Sequence, residues 1–312
     1  MNSTNANALG YVVVTDYLEA NTGQDVSDAI QSIIDSNPMK TIYFPDGEYI
    51  LAKPIATSGN PVNSVSLHLS NYAVLKAASN WSSSEAIVRL GAAEPYNDIY
   101  TNGSNYYFYG GIIDGNMVAN GIAIESGRET SIRNVSIKSV TQGLHVIYNA
   151  EYGSNDADID TVHIVGMNLP GSIGVIVDGF DNTLTDMRIA GFEVGIKLGG
   201  AGNFLRNIHP LYIYAGELAA KDPDHYDTVE DIDYSKSIAF HEVSNNNWYD
   251  ICYSDQFATA FYMGPRTMNI YDICRSFWYS PAGNKQVGFE VAGQFNSVLK
   301  SCEINFRFPK VD

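Results

Sequence analysis

Gly174-Val175-Ile176-Val177, Asp186-Met187-Arg188-Ile189, Gly195-Ile196-Lys197-Leu198 and Asn207-Ile208-His209-Pro210 follow one another along the chain and decide its fold. Two patterns alternate. One opens on a small polar residue and continues apolar, variable, apolar; the other opens on glycine and then alternates apolar with arbitrary residues. The first pattern extends backward to Arg133-Asn134-Val135-Ser136-Ile137 and Thr161-Val162-His163-Ile164, and forward to Asp250-Ile251-Cys252-Tyr253 and Asp272-Ile273-Cys274-Arg275. The second includes Gly121-Ile122-Ala123-Ile124, Gly143-Leu144-His145-Val146, Ser237-Ile238-Ala239-Phe240, Ala260-Phe261-Tyr262-Met263 and Gly288-Phe289-Glu290-Val291. First strands recur every roughly 21 to 29 residues, with one step of about 43, a period that means a solenoid. Alternation buries one side of each strand, and the glycines are expected to turn corners between sheets. Helices long enough for βαβ crossovers and hairpin turns are both missing after residue 40, which excludes doubly wound and antiparallel sandwich folds. The expectation is an all-β, single-stranded right-handed parallel β-helix. One amphipathic helix, Asp25 to Ser36, with Val26, Ala29, Ile30, Ile33 and Ile34 on its apolar face, precedes the coils and is expected to cap them.

The organisation read from this is one domain over 1–312, with a strand and capping helix in 1–40, coils in 41–312 and an inserted loop at 214–235. Of the 312 residues 45% are hydrophobic and 17% charged, enough to bury a core. The net charge of −17 disfavours phosphate backbones and anionic lipid, so neither nucleic acid nor membrane is an expected partner. The first residues carry no signal-peptide pattern, so a cytoplasmic protein or a trimmed secreted one is expected. Three cysteines are too few for a disulfide framework.

Asn21-Thr22-Gly23-Gln24-Asp25-Val26-Ser27-Asp28-Ala29-Ile30-Gln31, then Thr41-Ile42-Tyr43-Phe44-Pro45-Asp46-Gly47-Glu48-Tyr49 and Lys53-Pro54-Ile55, resembles the opening module of the pectate-lyase-like (pectin-lyase-like) superfamily. Gly110-Gly111-Ile112-Ile113-Asp114-Gly115-Asn116 is similar to an early turn of polygalacturonase-like chains. The resemblance implies a β-helix that acts on carbohydrate, as glycoside hydrolase, polysaccharide lyase or phage tailspike, and the tailspike branch implies a homotrimer. The Asp-Asp, His-Gly and Arg-X-Lys elements of polygalacturonase itself are lacking.

Candidate site residues therefore come from register. If apolar residues of the first strands face inward, an outward column reads Ser136, His163, Arg188, His209, Cys252, Cys274, and a second, two residues earlier on each strand, reads Asn134, Thr161, Asp186, Asn207, Asp250, Asp272. His163, Asp186, Arg188 and His209 then share one patch suited to acid/base chemistry, with Glu193 as a second carboxylate. Lys197, Asp178 and His241 on the neighbouring sheet, with Tyr212 and Tyr262 among the 21 tyrosines, are the expected substrate contacts. The acidic loop offers carboxylates and, more weakly, a place for Ca²⁺; no other cofactor is expected. Glycosidic cleavage or transfer by carboxylate acid/base catalysis is the first expectation. β-Elimination on a uronate glycan and non-catalytic glycan binding are the alternatives.

Overall fold

The computed structural model describes residues 3–60, 62–93, 107–166, 169–213, 233–265, 268–279, 285–293 and 296–306. The chain divides into two compact units, Met1–His163 and Ile164–Asp312. Both are stacks of parallel strands, and the fold is a right-handed parallel β-helix. Among the described residues no helix is long and apolar enough to cross a membrane.

In the first unit Thr41–Phe44 pairs with Ser66–Leu69, and Gly47–Leu51 with Ala73–Ala77 and then Ile112–Asp114. A third column, Ile55–Ala56, Ala86–Leu90, Asn120–Ile124 and Gln142–Val146, forms the other sheet. The capping helix runs Ser27–Ser36 and buries Ile30, Ile33 and Ile34. Asp25 lies just before it, where its carboxylate accepts the Ser27 and Ala52 amides at 2.9 and 3.0 Å and ties the helix start to the first coil. Gln31 exchanges two hydrogen bonds with the Ala56 backbone, at 2.9 and 2.8 Å, and secures the helix farther along.

The second unit shows why two strand patterns are an incomplete reading. Each coil carries three strands. Thr183–Thr185, Phe204–Arg206, Trp248–Asp250, Ile270–Asp272 and Val298–Lys300 form the first column. Arg188–Ala190, His209–Leu211, Tyr253–Asp255, Arg275–Trp278 and Glu303–Phe306 form the second. Ile173–Val177, Val194–Leu198, Ile238–Glu242, Thr259–Met263 and Val287–Val291 form the third. Between the first and second stands a single corner residue with positive φ: Asp186 (54°), Asn207 (52°), Ile251 (55°), Ile273 (54°) and Ser301 (53°). It resets the in/out alternation by one residue. Leu205 points in and Arg206 out, Asn207 turns, and Ile208 points in again with His209 out. Cys252 and Cys274, expected outward, are fully buried for this reason, and Tyr253 and Arg275 take the outward places.

The pattern glycines have a different role from the one expected. Gly174 and Gly195 are not at corners. They lie inside strands, where an added Cβ would meet Ile189 Cγ2 at 2.2 Å and Pro210 Cβ at 2.7 Å respectively. Ala239, rather than Ser237, is the equivalent position in the next coil.

A buried amide ladder threads the turns before the first column. Asn182 donates its backbone N–H to Asn203 Oδ1 at 3.0 Å, Asn203 to Asn247 Oδ1 at 2.8 Å, Asn247 to Asn269 Oδ1 at 2.8 Å, and Asn269 to Ser297 Oγ at 3.0 Å. Beside it Phe240, Phe261 and Phe289 stack at 4.6 and 4.9 Å between centroids, and Tyr249 lies on Tyr271 at 4.5 Å. Glu242 is sealed in this core. It accepts from Tyr249 Oη at 2.6 Å, Asn247 Nδ2 at 3.0 Å and Ser244 N at 2.7 Å, and burial pushes its carboxyl up to about 7.

Two stability outcomes follow from this arrangement. Asn203→Ala orphans the buried Asn182 amide and should cost about 2–4 kcal/mol in urea unfolding, whereas Asn207→Ala, whose side chain reaches Asp186 at the surface, should cost under about 1 kcal/mol. Equal losses would show that the ladder has no special weight. The folded state holds the Glu242 proton more tightly than the unfolded chain, whose carboxyl titrates near 4.5. Stability is therefore full below that pH and falls by about 3 kcal/mol as pH rises to about 7. Glu242→Gln should flatten that slope; an unchanged slope would assign the titration elsewhere.

Candidate active site

The outward column of the second unit runs Arg188, His209, Tyr253, Arg275, Glu303, one residue per coil. Neighbours in it are about 4.8 Å apart, so Arg188 to Arg275 spans about 14 Å. Its upper part is polar. Asp186 at the corner accepts a hydrogen bond from Asn207 Nδ2, and both Asp186 and Arg188 are exposed. Its lower part is aromatic. Tyr253, Arg275, Phe277 and Tyr279 line a groove of about 350 Å³ together with the corner residues Ile251 and Ile273. Tyr253 meets Phe277 edge-on at 6.0 Å, and Phe277 lies parallel to Tyr279 at 6.4 Å. Arg275 pairs with Glu303 at 3.3 Å.

The two parts meet at His209. Its ring stacks on Tyr253 at 3.9 Å between centroids, and its Nε2 lies 2.9 Å from Asp255 Oδ2. Both side chains are largely buried, with 15% and 10% of their surfaces exposed. Among the described residues nothing bonds His209 Nδ1 or Asp255 Oδ1, although both atoms are buried. Buried polar atoms without partners are rare and call for an explanation. A carboxylate locked on an imidazole beside an open aromatic groove can hold and transfer a proton.

The corners support the same location. Other coils place Asp186, Asn207 or Ser301 at the left-handed corner, whereas the coils of the groove place Ile251 and Ile273 there, 39% and 37% exposed. A β-branched residue at positive φ costs roughly 1–2 kcal/mol, strain that structures keep where a side chain is needed.

The residues expected from sequence separate into groups. Asp186, Arg188 and His209 lie on adjacent coils as expected. His163 is the last residue of the first unit and is exposed there. Glu193 is not in the groove: its Oε2 accepts the Gly171 amide at 3.2 Å and fixes a turn. Lys197, His241 and Tyr262 do form one outward ladder, but on the third column of strands, which belongs to the other sheet. Burial lowers the pKa of His241, with Lys197 adding to the shift. Asp178 is half-buried just past Ile173–Val177 of that sheet. Tyr212 is 2% exposed and packs against Phe257, so it belongs to the core instead of a binding surface. The alternation runs unbroken through His209–Leu211, with Ile208 and Pro210 buried, and places Tyr212 on the same inward side.

Asp255 is the residue that sequence reasoning missed. Only the corner reset reveals that it shares a face with His209. Loop residues 214–232 lie outside the described residues. Among those described, no cluster of three or more His, Cys, Asp or Glu side chains is arranged to hold a metal ion.

No curated protein sequence matches the chain. Solved structures do. The tailspike protein of E. coli bacteriophage HK620, in a double-mutant form, superposes with a TM-score of 0.61 at 12% identity, over 97% of this chain and 68% of that one. The ORF18 protein of Geobacillus virus E2 gives 0.53 at 14% identity, over 98% of this chain and 63% of that one. Alginate lyase from Paenibacillus sp. str. FPU-7 gives 0.54 at 13% identity, over 89% of this chain and 97% of that one. The chain thus spans about two thirds of the length of the two viral proteins. At these identities the likeness is one of fold. Residues 11–216 match the family described as Rhamnogalacturonase A/epimerase, pectate lyase-like, and on that match the chain belongs to this family, within the pectin-lyase-like superfamily.

Proposed function

We propose that this chain is a carbohydrate-active enzyme that cleaves or transfers glycosidic linkages in a poly- or oligosaccharide, with Asp255 as proton donor. The observation that carries the reading is the 2.9 Å contact between His209 Nε2 and Asp255 Oδ2 at the edge of an aromatic groove. Sugar rings have flat apolar faces and polar rims, and Tyr253, Phe277 and Tyr279 offer the complementary surface. In this reading Asp255 gives its proton to the glycosidic oxygen as the bond from that oxygen to the anomeric carbon breaks, the oxygen of water or of an acceptor hydroxyl bonds to that carbon in its place, and the proton which this oxygen sheds returns to Asp255. His209 holds its carboxyl in place. Asp186 sits two coils from Asp255, about 10 Å along the stack before any sideways offset. Carboxyl pairs of glycosidases lie roughly 5–9.5 Å apart, so Asp186 and Arg188 bind glycan at the polar end in this reading and do not share the chemistry.

A second reading has its own support. Arg188 and Arg275 lie in the same outward column as His209, a setting in which a uronate carboxylate is neutralised while the imidazole takes the neighbouring proton. A non-catalytic, tailspike-like trimer would use the same groove and leave the glycan intact.

Incubation with neutral and uronate-containing plant and microbial glycans separates the readings. New reducing ends without unsaturated uronate mean cleavage or transfer, unsaturated uronate means elimination, and neither means binding alone. Asp255→Asn should lower kcat about 10²- to 10⁴-fold with little change in KM. Full activity in that variant would remove Asp255 from the chemistry.

The corner strain gives an independent check. Ile251→Asn relieves a β-branched residue at φ 55° and should stabilise the fold by about 1 kcal/mol. The same change should raise KM severalfold. A stabilised variant with unchanged KM would separate the strain from glycan binding.

A further inference from the structure

A second aromatic concavity lies in the first unit, far along the sequence from the groove. Its floor is the strand pair Thr41–Phe44 and Ser66–Leu69, and Tyr107–Tyr109 pairs beside them. Tyr11, Thr41, Ser66, Leu67, His68, Tyr107 and Tyr109 enclose about 290 Å³. His68 is at its centre, with three tyrosine rings around it: Tyr109 at 4.9 Å and 81°, Tyr43 at 5.4 Å and 84°, and Tyr11 at 5.8 Å and 64°. Tyr43 is buried beneath, while Tyr109 and Tyr107 are 41% and 51% exposed and form the open walls.

Three properties of this concavity together point to a ligand. The first is unspent polar capacity. Among the described residues no hydrogen bond engages the His68 ring or the hydroxyls of Tyr11, Tyr107 and Tyr109, whereas Ser66 Oγ already accepts the Tyr107 amide at 3.2 Å. The second is a lining without fixed charge. None of the lining residues is acidic or a fixed cation, and burial lowers the pKa of His68, with the positive charge of the N-terminus adding to the shift, which keeps the imidazole neutral. The nearest cation in the same outward column, Arg133, is bonded to Ser131 Oγ and paired with Asp158. The third is shape, since ring faces stand as walls around a polar centre.

The geometry points to a second glycan-binding site at His68, walled by Tyr11, Tyr107 and Tyr109, that takes a neutral pyranose. A sugar ring lies against the exposed tyrosine faces, and its hydroxyls take up the hydrogen bonds of His68 and the phenols. A uronate is disfavoured there. The walls offer its carboxylate no cation, and the chain carries a net charge of −17. From the proposed function this takes only that the ligand is a glycan. The site has no acid/base pair, so it holds polysaccharide without cleaving it.

The test is calorimetric titration of the full chain with cellotetraose, maltotetraose, mannotetraose and tetragalacturonate, repeated in Tyr109→Ala and His68→Phe. At least one neutral tetramer should bind about tenfold or more weakly to Tyr109→Ala, and more weakly also to His68→Phe, which keeps the ring but removes its nitrogens. Melting temperatures should not change, because Tyr109 is a surface wall. Tyr279→Ala, in the groove of the second unit, should leave this component of binding intact. The proposal is overturned if no neutral tetramer shows binding that depends on Tyr109, or if tetragalacturonate alone does. Because binding is read without turnover, failure of the proposed chemistry would leave a positive result standing, and the reverse also holds.

Discussion

The constraint on which the second unit depends is that every coil must repeat its neighbour's backbone in register. The buried amide ladder from Asn182 to Ser297 enforces it. Each side-chain oxygen in the ladder satisfies a backbone N–H of the preceding coil that would otherwise be orphaned in the core, so a slipped coil loses bonds both ahead and behind. The aromatic stacks impose the same spacing by contact, since rings in register at 4.5 to 4.9 Å have no equivalent partner when shifted by one residue. Glu242 joins these systems through Asn247 and Tyr249. The cysteines fit a structural role too: Cys252 and Cys274 are stacked inside, and the hydrogen bond with Cys252, with burial adding to it, pushes the Cys274 thiol upward, away from the reactive thiolate form.

Much of this was legible beforehand, for a physical reason. Burial of alternate residues leaves a period-two trace that stacking repeats once per coil, legible at Ile189 and Ile196, while the 3.6-residue period of Ile30, Ile33 and Ile34 marks the capping helix. The amide ladder was hidden because Asn203 and Asn247 sit in turns, where asparagine is ordinary and no alternation marks burial. The site was half legible. His209 and Arg188 follow a polar corner, Asn207 and Asp186, that announces itself, and they were assigned outward. On the next coils isoleucine occupies the corner, so Ile251 and Ile273 read as inward strand residues and carried the columns out of phase. Asp255 and Tyr253 were lost through that one residue.

The groove thus owes its character to two choices that the core does not dictate. Corner side chains leave the stack wherever they are, so asparagine, aspartate, serine and isoleucine all fit one backbone geometry. Outward residues of the second column are similarly free, and they run from arginine and histidine to tyrosine over three coils. His209 and Asp255 differ from these in being largely buried, and each adjoins a residue that lines the groove, His209 by stacking on Tyr253 and Asp255 by pairing in register with Phe277. Low exposure strengthens the contact between them and makes an unanswered lone pair costly.

The left-handed corner has a further consequence. Because one residue per coil turns the chain while its side chain faces solvent, the face that meets other molecules can be rewritten without opening a cavity inside. Changes at residues 186, 207, 251, 273 and 301 trade backbone comfort against surface chemistry, one coil at a time. Recognition and architecture are inherited separately in such a chain, which lets one scaffold diversify toward new glycans by substitution alone.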